Sequence, residues 1–208
     1  MTALYGLRRG ATALPRLVQN KQSGGSGSTS LTLDDFPTHG NVLLAVTGRQ
    51  TSSTNIATVT CTGVTFRRLA SSTPYSNGEV EMFWGDIGPS ASSKTVTATF
   101  STGNWASLGV FEVTKAGMLG VITSTTKWSH NTIPFGGEAV SNGGKMMLFG
   151  FKNGGGGGAG CTVHKPWVHA GVSNSDFCSA LLVPAITGGV FVPTGTAGPG
   201  SNMILGLS

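Results

Sequence analysis

Glu79 and Glu81 are the first residues whose types and spacing invite a chemical reading. Two positions apart on an extended strand, their carboxylates point the same way at about 6–7 Å. That separation is compatible with acid–base work on a glycosidic bond. Paired glutamates are also ordinary on the solvent face of a strand, and the chain has only eight carboxylates. We assign no catalytic residue and expect no enzyme. The one metal-like cluster is Cys161, His164 and His169. Residues an odd number apart on a strand face opposite ways, so His164 and His169 diverge. Cys161 and His169 share a face but lie roughly 26 Å apart along an extended chain, and only a bend at Pro166 rescues the geometry. The expectation is a strand with ordinary polar residues, no metal and no other cofactor. No G-x-S-x-G elbow is present. The run Gly154–Gly158 lacks the G-K-[ST] ending of a phosphate loop and reads as a plain loop.

Aromatic residues suggest a different chemistry. Trp84, Trp105, Trp128 and Trp167 with Tyr75 have the makings of a sugar-stacking platform, as in a carbohydrate-binding module. Trp84 is in phase with Val80 and Met82, and Trp105 opens an apolar strand, so both are expected in the core. Trp128 and Trp167 are left as candidates for an exposed aromatic site. Cys61, Cys161 and Cys178 are odd in number and lack CxxC spacing, so no disulfide framework is expected.

The elements that must hold these residues are strands. Val42–Val46 is apolar on both faces, as an interior strand requires. Thr95–Phe100 alternates threonine with Val96, Ala98 and Phe100, the pattern of a half-buried antiparallel strand. Gly63 marks a turn or bulge, and Asn77-Gly78 and Asn142-Gly143 signal hairpins. Further strands are expected over 105–113, 120–125, 145–151, 163–172, 177–183, 189–192 and 202–207. No stretch of ten or more residues carries a capped 3.6-residue apolar period. Ten to twelve short strands predict an all-β fold, an antiparallel two-sheet sandwich of jelly-roll type.

The first thirty residues differ from this. They carry Arg8, Arg9, Arg16 and Lys21, no acid, and end in the Gly/Ser stretch 23–30. Subtracting the arm's +4 from the whole-chain +5 leaves residues 31–208 at +1, so the domain itself is near neutral. Arginines and Pro15 break every apolar run that a secretory signal needs, and Gly10 and Pro15 spoil an amphipathic presequence helix. No stretch approaches a membrane span. We divide the chain into an extended basic arm and hinge, 1–30, and a β-sandwich domain, 31–208. Leu4, Tyr5, Leu7, Leu14, Leu17 and Val18 are the arm's apolar contacts for a partner, with Arg8, Arg9, Arg16 and Lys21 its charges. Nucleic acid is a partner only through this arm, whose four charges are thin beside the dense basic blocks that package RNA. With 33 glycines and 10 % charged residues, the surface is built from small and uncharged polar groups. Such a surface packs against other subunits with little desolvation of charge.

The strand pattern 40–46 (GNVLLAV), 66–70 (FRRLA), 80–84 (VEMFW), 95–100 (TVTATF), Trp105-Ala106 and 110–113 (VFEV) resembles β-sandwich virion proteins of tailed bacteriophages. It covers about a third of the chain and includes no catalytic residues. The resemblance implies a structural role in a virion, commonly as a trimer. The expected function is a head decoration (cement) protein strapped by residues 1–30 to the major capsid protein or other virion subunits. A tail component or small-virus coat protein belongs to the same class, and a carbohydrate-binding module is the rival from another.

Overall fold

The computed structural model describes residues 14–25, 28–50, 57–72, 78–101, 104–116, 118, 120–130, 140–141, 146–153, 167–170, 177–182, 190–191 and 200–207. Every element among them is a strand: β1 Leu17–Gly25, β2 Thr29–Thr32, β3 Val42–Gln50, β4 Ala57–Thr60, β5 Val64–Ser71, β6 Gly78–Ile87, β7 Thr95–Phe100, β8 Asn104–Val113, β9 Ile122–His130, β10 Val140–Ser141, β11 Met146–Asn153, β12 Val168–His169, β13 Phe177–Leu182, β14 Val190–Phe191 and β15 Gly200–Leu207. All pairings are antiparallel.

The strands form a central sheet β1-β8-β3-β6-β5, a small sheet β2-β7-β4, a C-terminal sheet β12-β13-β11-β15-β9, and the pair β10-β14. The first eight strands pair in a nested order. β1 joins β8, β2 joins β7 and β3 joins β6. β4 and β5 meet through the Cys61–Val64 bridge around a two-residue turn. Gly63 takes φ +81° in that turn, a conformation L side chains rarely adopt. Alternation along each strand then divides the apolar residues between layers. Leu43, Ala45, Phe83, Leu108 and Val110 of the central sheet pack with Leu31, Val59, Val96 and Ala98 of the small sheet. The other set, including Val42, Leu44, Val46, Met82, Trp84 and Phe111, packs on Leu148, Leu181, Met203 and Leu205 of the C-terminal sheet. The doubly apolar β3 is thus buried on both faces, as its sequence requires.

Two expectations need correction here. The central sheet is covered on both sides, so the described residues build three layers where two sheets were expected. The far face of the C-terminal sheet is buried as well, with Met147, Phe149, Phe151 and Ile204 in one cluster. The second correction concerns the boundary at residue 30. Residues 17–25, within the arm, form the edge strand of the central sheet, paired with 106–113. Thr29 and Ser30 likewise belong to β2. The layers approach closely because facing positions are glycine. A Cβ on Gly150 would lie 2.6 Å from Val46 Cγ1 and 2.7 Å from Val80 Cγ1.

Candidate functional site

The described part of the arm, residues 14–25, binds its own domain by polar clips more than by apolar burial. The Arg16 amide donates to Thr114 Oγ1 at 2.9 Å, and the Thr114 amide donates to the Arg16 carbonyl at 2.9 Å. It is therefore the Arg16 backbone that anchors this point. Gln19 bridges two segments: its Nε2 donates to the Asp35 carbonyl at 3.2 Å, and the Asp35 amide donates back to its Oε1 at 3.1 Å. Lys21 pairs with Asp34, and both side chains are exposed. Gln22 accepts from the Ser179 hydroxyl at 2.9 Å, tying β1 to the C-terminal sheet. Among the arm's apolar residues, Leu17 packs half-buried on the core. Leu14 and Val18 are 54 % and 49 % exposed. Leu14, Arg16 and Val18 thus face solvent in alternation, while Pro15 and Leu17 turn inward. Leu4, Tyr5, Leu7, Arg8 and Arg9 lie outside the described residues.

Beneath the arm sits Glu112, fully buried. Its Oε2 accepts from Gln19 Nε2 at 2.6 Å, and its Oε1 accepts from the Thr38 amide at 2.9 Å and Asn41 Nδ2 at 2.7 Å. One carboxylate therefore joins the strap, the loop before β3 and β8. Nothing in the sequence marked it, because its donors come from 71 to 93 residues away.

Glu79 and Glu81, expected on a surface, are buried at the opposite end of the same interlayer. Glu79 pairs with buried Arg49, whose guanidinium also lies 6.0 Å from the Phe100 ring centroid. Glu81 takes Arg68 on Oε1 at 2.9 Å and the Ala57 amide on Oε2 at 2.6 Å. These contacts fasten β4 and β5 to β6. A carboxylate held by a cation and an amide suits that fastening role, and a glycosidase acid needs access that buried Glu79 and Glu81 lack.

The aromatic candidates separate. Trp167 is a correction: it is only 6 % exposed and packs edge-on against Phe149, with centroids 6.1 Å apart. Trp128 lies on β9 opposite Asn202, and its side chain is outside what the structure describes. Trp84 is buried as expected, with the Arg67 guanidinium 5.5 Å from its ring centroid. Trp105 is the second correction, being 57 % exposed. Of the metal-like trio, Cys161 and His164 lie outside the described residues, and only the backbone of His169 is described, in β12. Cys61 is buried against the Ser93 carbonyl, and burial pushes its thiol pKa up. Cys178 is also buried, and both are free thiols.

No family model, no curated protein sequence and no solved structure matches this chain.

Proposed function

We propose that this chain is a virion structural protein, a capsid decoration (cement) protein that holds a capsid lattice through its N-terminal arm. The observation that carries the reading is the nested pairing of the first eight strands. A jelly roll is an antiparallel ribbon whose strands pair outermost to innermost before it wraps into two facing sheets, and this architecture recurs in viral capsid domains. The orders β1-β8-β3-β6 and β2-β7-β4 follow from that wrapping. β5 departs from it by pairing with β6 in place of the small sheet. The C-terminal sheet is then an addition to the outer face of a jelly-roll-like unit.

The arm supports the same reading. Its described stretch attaches by a backbone ladder and leaves Leu14 and Val18 facing outward. An apolar, cationic strip beside an open sheet edge is suited to a neighbour that adds a strand there. The partners are the major capsid protein or other virion subunits, with a trimer as the assembly of this chain. A tail component or small-virus coat protein would use the same features.

Incorporation tests the proposal. The full chain and a chain lacking residues 1–13 are expressed while particles of the encoding virus assemble, and the particles are purified on a gradient. Full-length protein is expected at a fixed copy number and the shortened chain only in traces. Equal incorporation of both removes the arm from the mechanism, and absence of the full chain from particles removes the virion assignment.

A further inference from the structure

The central and C-terminal sheets share one plan. Read from one edge, the central sheet runs β1-β8-β3-β6-β5 and the C-terminal sheet β9-β15-β11-β13-β12. Strands therefore correspond in chain order, and β10-β14 stands where β2-β7 stands. Among the described residues, only β4 lacks a counterpart. Register agrees as well. Asn20, Phe111, Leu44, Trp84 and Arg67 lie side by side across the central sheet. Thr125, Leu205, Leu148, Leu181 and Val168 do so across the C-terminal sheet. The first strands share an irregularity: Val18 is the extra residue between Leu17 and Gln19, and Thr123 the extra one between Ile122 and Ser124. A bulge is a specific feature of a strand, not a consequence of regular pairing. The faces correspond too. Leu44, Trp84 and Phe111 meet their counterparts Leu148, Leu181 and Leu205 in the core between the two sheets. Leu43, Ala45, Phe83 and Val110 face away from it, as do Met147, Phe149, Ala180 and Ile204.

From this correspondence we infer that the chain is a fused dimer. Residues 17–113 and 122–207 are two copies of one lobe, and the broad sheet face of each is an interface for the other copy. The contacts give the symmetry. Positions 46 and 150 correspond, as do 48 and 152. A Cβ on Gly150 would lie 2.6 Å from Val46 Cγ1, and one on Gly48 would lie 3.2 Å from Lys152 Cβ. Corresponding residues thus meet each other, the mark of a twofold axis, here running between β3 and β11. Contacts off the axis come in related pairs. Gly109 of β8 lies against Ser179 of β13, and Ser201 of β15 donates to the Gly78 carbonyl of β6 at 2.7 Å. The copies differ where they touch: Val46 fills the space that Gly150 leaves, and Lys152 the space beside Gly48. Two copies of one lobe would set valine on valine, or lysine on lysine, at the axis. The interface therefore selects one lobe of each kind, and fusion supplies them in equal number. The inference is independent of the virion reading, and either can fail alone.

A full chain with a protease site inserted after Ala116, between the lobes, tests the interface. Cut while folded, it should elute from size exclusion as the uncut chain does. Its urea midpoint should then rise with protein concentration, as for any two-part complex. Halves that part on cutting, or a midpoint still independent of concentration, overturn the interface. The equivalence of the lobes is tested in the uncut chain. Val46→Gly and Gly150→Val should each lower the midpoint, and the double variant should recover most of the loss, because the larger residue has only changed lobes. A double-variant loss equal to the sum of the two overturns the equivalence. If the exchange variant does not fold, Val46→Cys with Gly150→Cys decides. In the cut chain this pair should keep the halves joined on a non-reducing denaturing gel. Val46→Cys with Met146→Cys, about 13 Å along β11 from position 150, should leave them separate. Separate halves with the first pair, or joined halves with both, overturn the axis.

Discussion

Both oxygens of Glu112 act as acceptors, and Gln19, Thr38 and Asn41 all donate to them. Glu112→Gln keeps the volume but turns an N–H toward Gln19 or toward the Thr38 and Asn41 donors. Hydrogen bonds to a charged group are worth about 1.5–3 kcal/mol each, so this variant should lose roughly 2–4 kcal/mol. Urea unfolding checks it: the midpoint should fall while the slope stays constant, and an unchanged midpoint would show that the network is dispensable. Asp86 gives a pH prediction. Burial pulls its pKa up, but hydrogen bonds from Lys115 and Trp84 and the charges of Lys115 and Arg67 outweigh that, and the pKa ends below the ordinary value. A depressed carboxylate pKa contributes stability that is complete above about pH 4 and is lost as pH falls through the folded-state value. Asp86 is about half exposed, so the contribution is small. Asp86→Asn should flatten the acid limb of a melting-temperature profile below about pH 4 and leave the neutral region almost unchanged. Single residues were the least legible part of the sequence. Trp84 was placed correctly because two residues in phase with it are apolar. Trp105 was misplaced because a bulge shifts the phase at that residue, and a bulge is set by the partner strand.

At the scale of elements, legibility followed periodicity. β3 and β7 could be read because their side chains alone specify what each face meets. β1 could not. LVQNKQSGG has one inward apolar residue and runs into the Gly/Ser stretch that starts at Ser23, a composition that reads as extended arm passing into hinge. What makes it a strand is β8, some ninety residues away, together with Glu112, Asp35 and Ser179. This decides the outcome of truncation. A chain starting at residue 14 should melt as the full chain does. A chain starting at residue 26 loses the β1 ladder, removes a donor from buried Glu112 and opens β8 as a new edge. It should melt at a markedly lower temperature and aggregate on concentration, and equal melting of the two would show that β1 adds nothing to the domain. Gly150 tests how the layers meet. Gly150→Val drives a branched side chain into Val46 and Val80, with Met82 also close. Overpacking of this kind costs about 1–3 kcal/mol, readable as a lower denaturation midpoint.

For the molecule as a whole, the proposed role requires a three-layer body of low net charge to hold on to an assembly. The cations at both edges of the central sheet are already engaged: Lys21 pairs with Asp34, Arg68 with Glu81, and Arg67 donates to the Gly120 carbonyl. On the proposed reading, attachment comes from the strap. Its charges are weak anchors. An exposed ion pair contributes at most about 1 kcal/mol and is screened by salt, whereas a fully buried leucine contributes about 1.5–3 kcal/mol. Leu17 already serves the domain's own core, so among the described residues of the arm the apolar side chains left to a neighbour are Leu14 and Val18, to which the proposal adds Leu4 and Leu7. Replacing Leu4, Leu7 and Leu14 with serine should abolish co-sedimentation with particles and leave the melting temperature of the domain unchanged. Arg8→Gln, Arg9→Gln and Arg16→Gln together should weaken co-sedimentation only in part, since Arg16 is held in place by its backbone. Raising salt from about 0.1 M to about 1 M shortens the screening length from roughly 10 Å to 3 Å, and the wild-type protein should stay bound throughout. Release by salt, or failure of the arginine variant while the leucine variant binds, would make the arm an electrostatic tether, with nucleic acid or an acidic surface as its partner.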